Sequence, residues 1–82
     1  MNQRPKYPVM SGPATYRIRV CGALTPQNEK MFAGLRITNE LDDRGDQVTT
    51  LVGRLSDQAA LAGVLDALYG LHLPILSVEC EG

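Results

Sequence analysis

The stretch LSDQAALAGVLDALYGLHLPILSVECE, from Leu55 to Glu81, carries the most regular pattern in this chain of 82 residues. Leu61, Val64, Leu65 and Leu68 recur at the i, i+3, i+4, i+7 spacing that gathers side chains onto one stripe of a helix. Ser56 stands where an N-cap belongs, which puts Asp57 in the first turn, at the positive end of the helix dipole. Gly70 is placed to stop the helix, with Leu71 folding back on Leu65. Pro74 forbids continuation, and ILSVEC, residues 75–80, predicts a strand. Small Ala60 and Gly63 allow the helix to approach another surface closely. A helix with one apolar stripe that feeds directly into a strand needs a sheet to lie against, so the partner strands must come from upstream.

They are there. In TYRIRVCG, residues 15–22, Tyr16, Ile18 and Val20 alternate with Arg17 and Arg19, the period-two pattern of a half-buried strand that ends at Gly22. TPQNEKMFAG follows, with Thr25 as N-cap, Pro26 at the first helical position, Met31 and Phe32 as an apolar patch and Gly34 as a stop, and predicts a short helix. LRITNEL (35–41) and QVTTLVGRL (47–55) predict two strands, and DDRGD between them supplies hairpin turn chemistry, with Gly45 able to take a positive φ. Residues 1–13 hold three prolines and no periodic apolar face, and are expected to form a flexible arm before a single domain spanning 14–82.

The resulting order is β, short α, β, β, α, β. Two strand–helix–strand units joined by a hairpin predict an α+β fold: a ferredoxin-like βαββαβ sandwich with a four-stranded antiparallel sheet, spatial order 4-1-3-2, and both helices on one face. Tyr16, Ile18, Val20, Ile37, Leu51, Leu76 and Val78 are expected to meet the helices, and Arg17, Arg19, Arg36, Thr38, Thr50, Ser77 and Glu79 to line the other face. In this topology Cys21 and Cys80 lie at opposite edges of the sheet, too far apart for a bridge, so two free thiols are expected.

Composition narrows the function classes. The chain is 44% apolar and 21% charged, ordinary for a folded domain of a size that buries about 60–65% of its unfolded surface. Its net charge of −1 divides into +5 from Met1 to Arg36 and −6 beyond, a split that a single interleaved domain largely neutralises. No run reaches the roughly 20 apolar residues of a membrane span, and the basic start of the sequence lacks an apolar signal core. The expectation is a soluble cytoplasmic protein with no membrane partner.

Chemistry is sparse. His72, the lone histidine, has no cysteine or carboxylate at ligand spacing, so no metal is expected, and no second histidine serves Cys21 as a base. ELDDRGD lacks the spaced oxygen ligands and distal glutamate of a calcium loop. Gly22 is isolated, and Pro26 removes an amide donor from the helix start that follows, so no phosphate cradle forms. Arg17, Arg19 and Arg36 could face RNA, but Tyr16 alternates into the core and no exposed aromatic accompanies them; nucleic acid is not the expected partner. Neither an enzyme nor a cofactor is expected.

The segments YRIRVCGALTP, FAGLRITNE and VTTLVGRLSDQAALAGVLDALYGLHLPILSVE resemble a family of small bacterial proteins without an assigned activity, over Tyr16 to Glu79, with DQAALAGVL the most distinctive part. Relatives of that kind tend to carry tryptophan in the short first helix, where this chain has Met31 and Phe32. The element order also resembles that of ACT-type regulatory domains, which bind small ligands at subunit interfaces; this likeness is topological. Two functions follow as expectations. One is a non-enzymatic interaction or regulatory module that pairs with itself or another protein through its sheet face or edge, using Arg17, Arg19, Arg36, Thr38 and Thr50. The other is an ACT-like sensor of a small ligand at Gly22, Ala23, Thr25 and Gln27.

Overall fold

The computed structural model describes residues 13–81, so the arm expected over residues 1–13 lies almost wholly outside the described residues. The fold is α+β: β1 (Ala14–Cys21), α1 (Pro26–Glu29) running into a 3-10 turn (Lys30–Phe32), β2 (Arg36–Leu41), β3 (Gln47–Leu55), α2 (Gln58–Gly70) and β4 (Ile75–Cys80). The strands form one antiparallel sheet in the order β2-β3-β1-β4, which is 4-1-3-2 counted from the other edge.

Register puts Ile18 opposite Leu51 on β3 and Val78 on β4, and Leu51 opposite Ile37 on β2. Ile18, Val20 and Leu51 are buried together with Leu24, Phe32 and Leu68, while Leu61, Val64 and Leu65 pack around them. Both helical segments therefore cover the same face of the sheet.

Local chemistry corrects the expected helix ends. The α2 cap is Asp57, whose carboxylate accepts the Ala60 N–H at 2.9 Å, rather than Ser56. An ionised cap meets the orphan amides and the positive dipole end together, which a hydroxyl cannot. At the other end Gly70 stays helical and His72 takes the left-handed conformation, φ 60°. Its N–H donates to Tyr69 O (2.9 Å) and the Leu73 N–H donates to Leu68 O (3.2 Å), the two bonds of a Schellman stop. Leu65, Leu71 and Leu73 all pack against the core cluster that contains Leu68. Thr25 does cap α1, accepting the Asn28 N–H at 3.1 Å, with Pro26 in the first turn.

Two expectations about faces also change. The β1–β4 register shifts between Arg19 and Val20, so that Ile75 rather than Leu76 opposes Val20. Leu76 occupies the resulting bulge at 51% exposure, and Val78, on an edge strand with a neighbour on one side only, is 40% exposed. Conversely, Val48 (3%) and Thr50 (9%) are buried, although their register places them on the face without helices. Both belong to central β3, flanked by Cys21 and Glu40, and by Arg19 and Thr38, respectively.

Cys21 and Cys80 are both free. Cys80 pairs with Tyr16, five residues along β1 from Cys21, a separation of about 16 Å.

Candidate functional site

The expected interface residues form two adjacent rows on the helix-free face: Arg17–Val52–Arg36 and Arg19–Thr50–Thr38. They are together, but not equally available. Arg17 Nε donates to Glu81 Oε2 at 2.7 Å, which raises the guanidinium pKa above its usual value; Glu79, its register partner, makes no such contact. Thr50 is buried between its neighbours. Arg36 and Thr38, on edge strand β2, are exposed, and neither they nor Glu40 make a side-chain hydrogen bond or ion pair among the described residues.

Strand β2 has a defined outward edge. The Asp42 N–H donates to Asp46 O at 2.8 Å, so Asp42 faces β3, and by alternation Glu40, Thr38 and Arg36 also direct their backbone groups to β3. Ile37, Asn39 and Leu41 direct theirs outward, with no backbone partner among the described residues. Leu41 is 67% exposed, a large apolar side chain at the end of this edge. The strand is fixed from behind at two points. Leu35 lies over Gly53, where an added Cβ would overlap the leucine and stand 3.1 Å from Gly34 O. Farther along, Thr49 Oγ1 lies 2.7 Å from Gly22 O and 2.7 Å from the Asn39 side-chain amide. One hydroxyl proton serves one acceptor, so the Asn39 amide turned over donates its NH₂ to Thr49 while Thr49 donates to Gly22. This part-buried link joins β2, β3 and the turn after β1.

The expected ligand residues are less concentrated. Gly22, at φ 109°, makes the turn after β1, while Thr25 is committed to its cap and Ala23 and Gln27 are exposed. The same end of the sheet does hold an open apolar cavity of about 340 Å³, lined by Tyr69, His72, Leu73 and Pro74. It adjoins the expected turn: Cys21 N–H donates to Pro74 O at 2.8 Å, and a Cβ on Gly22 would come within 2.9 Å of Leu73. Sequence reasoning missed the cavity because its lining arises from the helix stop, whose left-handed residue is a histidine rather than the neighbouring glycine. Among the described residues no three His, Cys, Asp or Glu side chains are grouped to hold a metal ion, and no helix is long and apolar enough to cross a membrane. Burial, with the Cys80 thiol adding to it, raises the Tyr16 phenol above its ordinary value of 10.0.

Residues 15–79 match the model of a domain of unknown function, DUF8691, a span close to that of the resemblance noted in the sequence. No curated protein and no solved structure matches the chain.

Proposed function

We propose that this chain, which belongs to the DUF8691 family of domains of unknown function, is a non-enzymatic interaction module of ferredoxin-like topology that acts as a homodimer joined at a sheet edge. The observation that carries this reading is where unsatisfied surface remains. Helices cover one face, and the central row of the other is sealed at Val48 and Thr50. The edges are left, with backbone groups unpaired among the described residues beside exposed Leu41 on β2 and Ile75, Leu76 and Val78 on β4. Such edges are templates for a further strand. Sedimentation velocity from micromolar to millimolar concentration tests the reading: a concentration-dependent shift to twice the monomer mass is expected, and a monomer throughout overturns it.

The cavity beside Gly22 favours a second reading, an ACT-like sensor whose ligand sits against Tyr69, His72, Leu73 and Pro74 rather than on Thr25 and Gln27. Its lining is mostly apolar, suited to a small molecule with an aliphatic or aromatic body. A thermal-shift panel of amino acids and nucleotides checks this; a ligand whose effect disappears in Leu73→Ala supports it, and no shift across the panel removes it.

A further inference from the structure

We infer that the dimer edge is β2, paired antiparallel with β2 of a second copy about a two-fold axis at Thr38; this rests on the homodimer reading above. The sequence Leu35-Arg36-Ile37-Thr38-Asn39-Glu40-Leu41 is self-complementary about its central residue. With the axis at Thr38, Arg36 stands opposite the second copy's Glu40, Ile37 opposite its Asn39, and Leu35 opposite its Leu41. Every pair occurs twice. Facing residues of antiparallel strands share a sheet face, so Arg36 and Glu40 meet on the helix-free face and the leucines meet on the helix side.

Three observations fit this register. Arg36 and Glu40 are exposed and make no salt bridge among the described residues, Glu40 acting only at longer range on Arg17, and four residues of extended chain hold them about 13 Å apart. Leu41, exposed on its own chain, gains an apolar neighbour. The outward-facing Ile37 and Asn39 become a hydrogen-bonded pair with each other's counterparts, while Thr38, already bonded to β3, meets its copy in a narrow non-hydrogen-bonded pair. An axis at Ile37 would set Arg36 opposite Thr38, and an axis at Asn39 would set it opposite Asp42, whose carboxylate is already committed to the Arg44 and Asp46 amides of the turn. The β4 edge offers nothing equivalent: it carries Glu79 and no cation, and its ladder is broken by the bulge at Leu76.

Charge reversal tests the pairing. Arg36→Glu and Glu40→Arg should each weaken the wild-type dimer by at least about tenfold, because each sets like charges opposite one another twice. Both positions are exposed, so the variants should keep the wild-type circular dichroism spectrum. Mixed at equal concentration, the two variants should form a heterodimer, since one presents two acids and the other two arginines; the double variant Arg36→Glu/Glu40→Arg should dimerise alone. In a background with Cys21→Ser and Cys80→Ser, Thr38→Cys should oxidise to a disulfide-linked dimer, because a narrow pair brings the Cα atoms to about 4.5 Å. Val78→Lys should leave the dimer intact. A dimer that ignores both reversals, that fails to cross-link through Thr38→Cys, or that Val78→Lys dissociates overturns the β2 register while leaving the homodimer reading in place. A wild-type chain that is monomeric at every concentration removes both.

Discussion

Strands β2 and β4 bound the same sheet, and each sets a half-buried or exposed aliphatic residue opposite a fully buried one, Ile37 against Leu51 and Val78 against Ile18. They manage the common problem of an open edge differently. β4 shows more apolar surface, yet the bulge at Leu76 interrupts its regular ladder and Glu79 has no cation along the strand with which to pair a copy. β2 is the more polar edge, but its ladder to β3 runs unbroken from Arg36 to Leu41, and its charges sit at mirrored positions with opposite signs. Exposed apolar area alone would select β4, whereas the mirrored charges favour β2 for the pairing proposed above. Regular geometry and the order of charges along the strand decide which edge can receive a partner.

The comparison can be broken most severely at the anchor of β2. Gly53→Ala puts a methyl into Leu35 and the Gly34 carbonyl, and is expected to cost about 2–3 kcal/mol in urea unfolding while lowering hydrogen-exchange protection along β2 more than along β4. Thr49→Val removes the hydroxyl shared by Gly22 and Asn39 and is expected to cost about 1–2 kcal/mol, measured by the same denaturation midpoint. The entry to β4 should respond in the opposite sense. His72→Gly relieves a left-handed side chain, and a gain of about 0.5–1 kcal/mol is expected, seen as a raised midpoint, whereas His72→Ala keeps the strain and gives no such gain.

The smallest effect concerns the turn that joins β2 to β3. The Asp42 carboxylate accepts the N–H of Asp46 at 2.9 Å and of Arg44 at 2.8 Å; the Asp46 bond chiefly holds its pKa below the ordinary 3.8, against opposing desolvation. A depressed folded value means that this carboxylate favours the folded turn above about pH 3.8 and that the contribution is lost as pH falls through the lower folded value. Carboxyl-carbon NMR titration should place the Asp42 midpoint below 3.8, and Asp42→Asn should abolish the accompanying shift of the Arg44 and Asp46 amides.

Much of this architecture was legible because it is written in local periods. Tyr16, Ile18 and Val20 alternate, Leu61 to Leu68 follow helical spacing, and both patterns survive tertiary context. What was illegible arose from competition among neighbours. Ser56 and Asp57 both qualify as caps, and the carboxylate takes the role; Gly70 and His72 both lie near the stop, and the backbone bonds from His72 and Leu73 to Tyr69 and Leu68 close the helix with the left-handed residue two beyond the glycine. The bulge at Leu76 has no sequence signature, so the strand alternation was carried one residue too far. For the site, Arg36 and Thr38 were visible as exposed polar positions. Their complement, Glu40 and Leu41, was missed although the expected order 4-1-3-2 already put β2 at an edge, because which of its backbone groups face outward is set by the Asp42 N–H to Asp46 O bond and not by local sequence.

The two cysteines give the molecule a covalent memory of its encounters. Held about 16 Å apart by the ladder between β1 and β4, well beyond the roughly 7 Å that a bridge allows, they cannot close on each other in the folded chain. Any disulfide formed by folded protein therefore records contact between molecules, and non-reducing gels of Cys21→Ser and Cys80→Ser distinguish collision through the exposed Cys80 from collision through the partly covered Cys21.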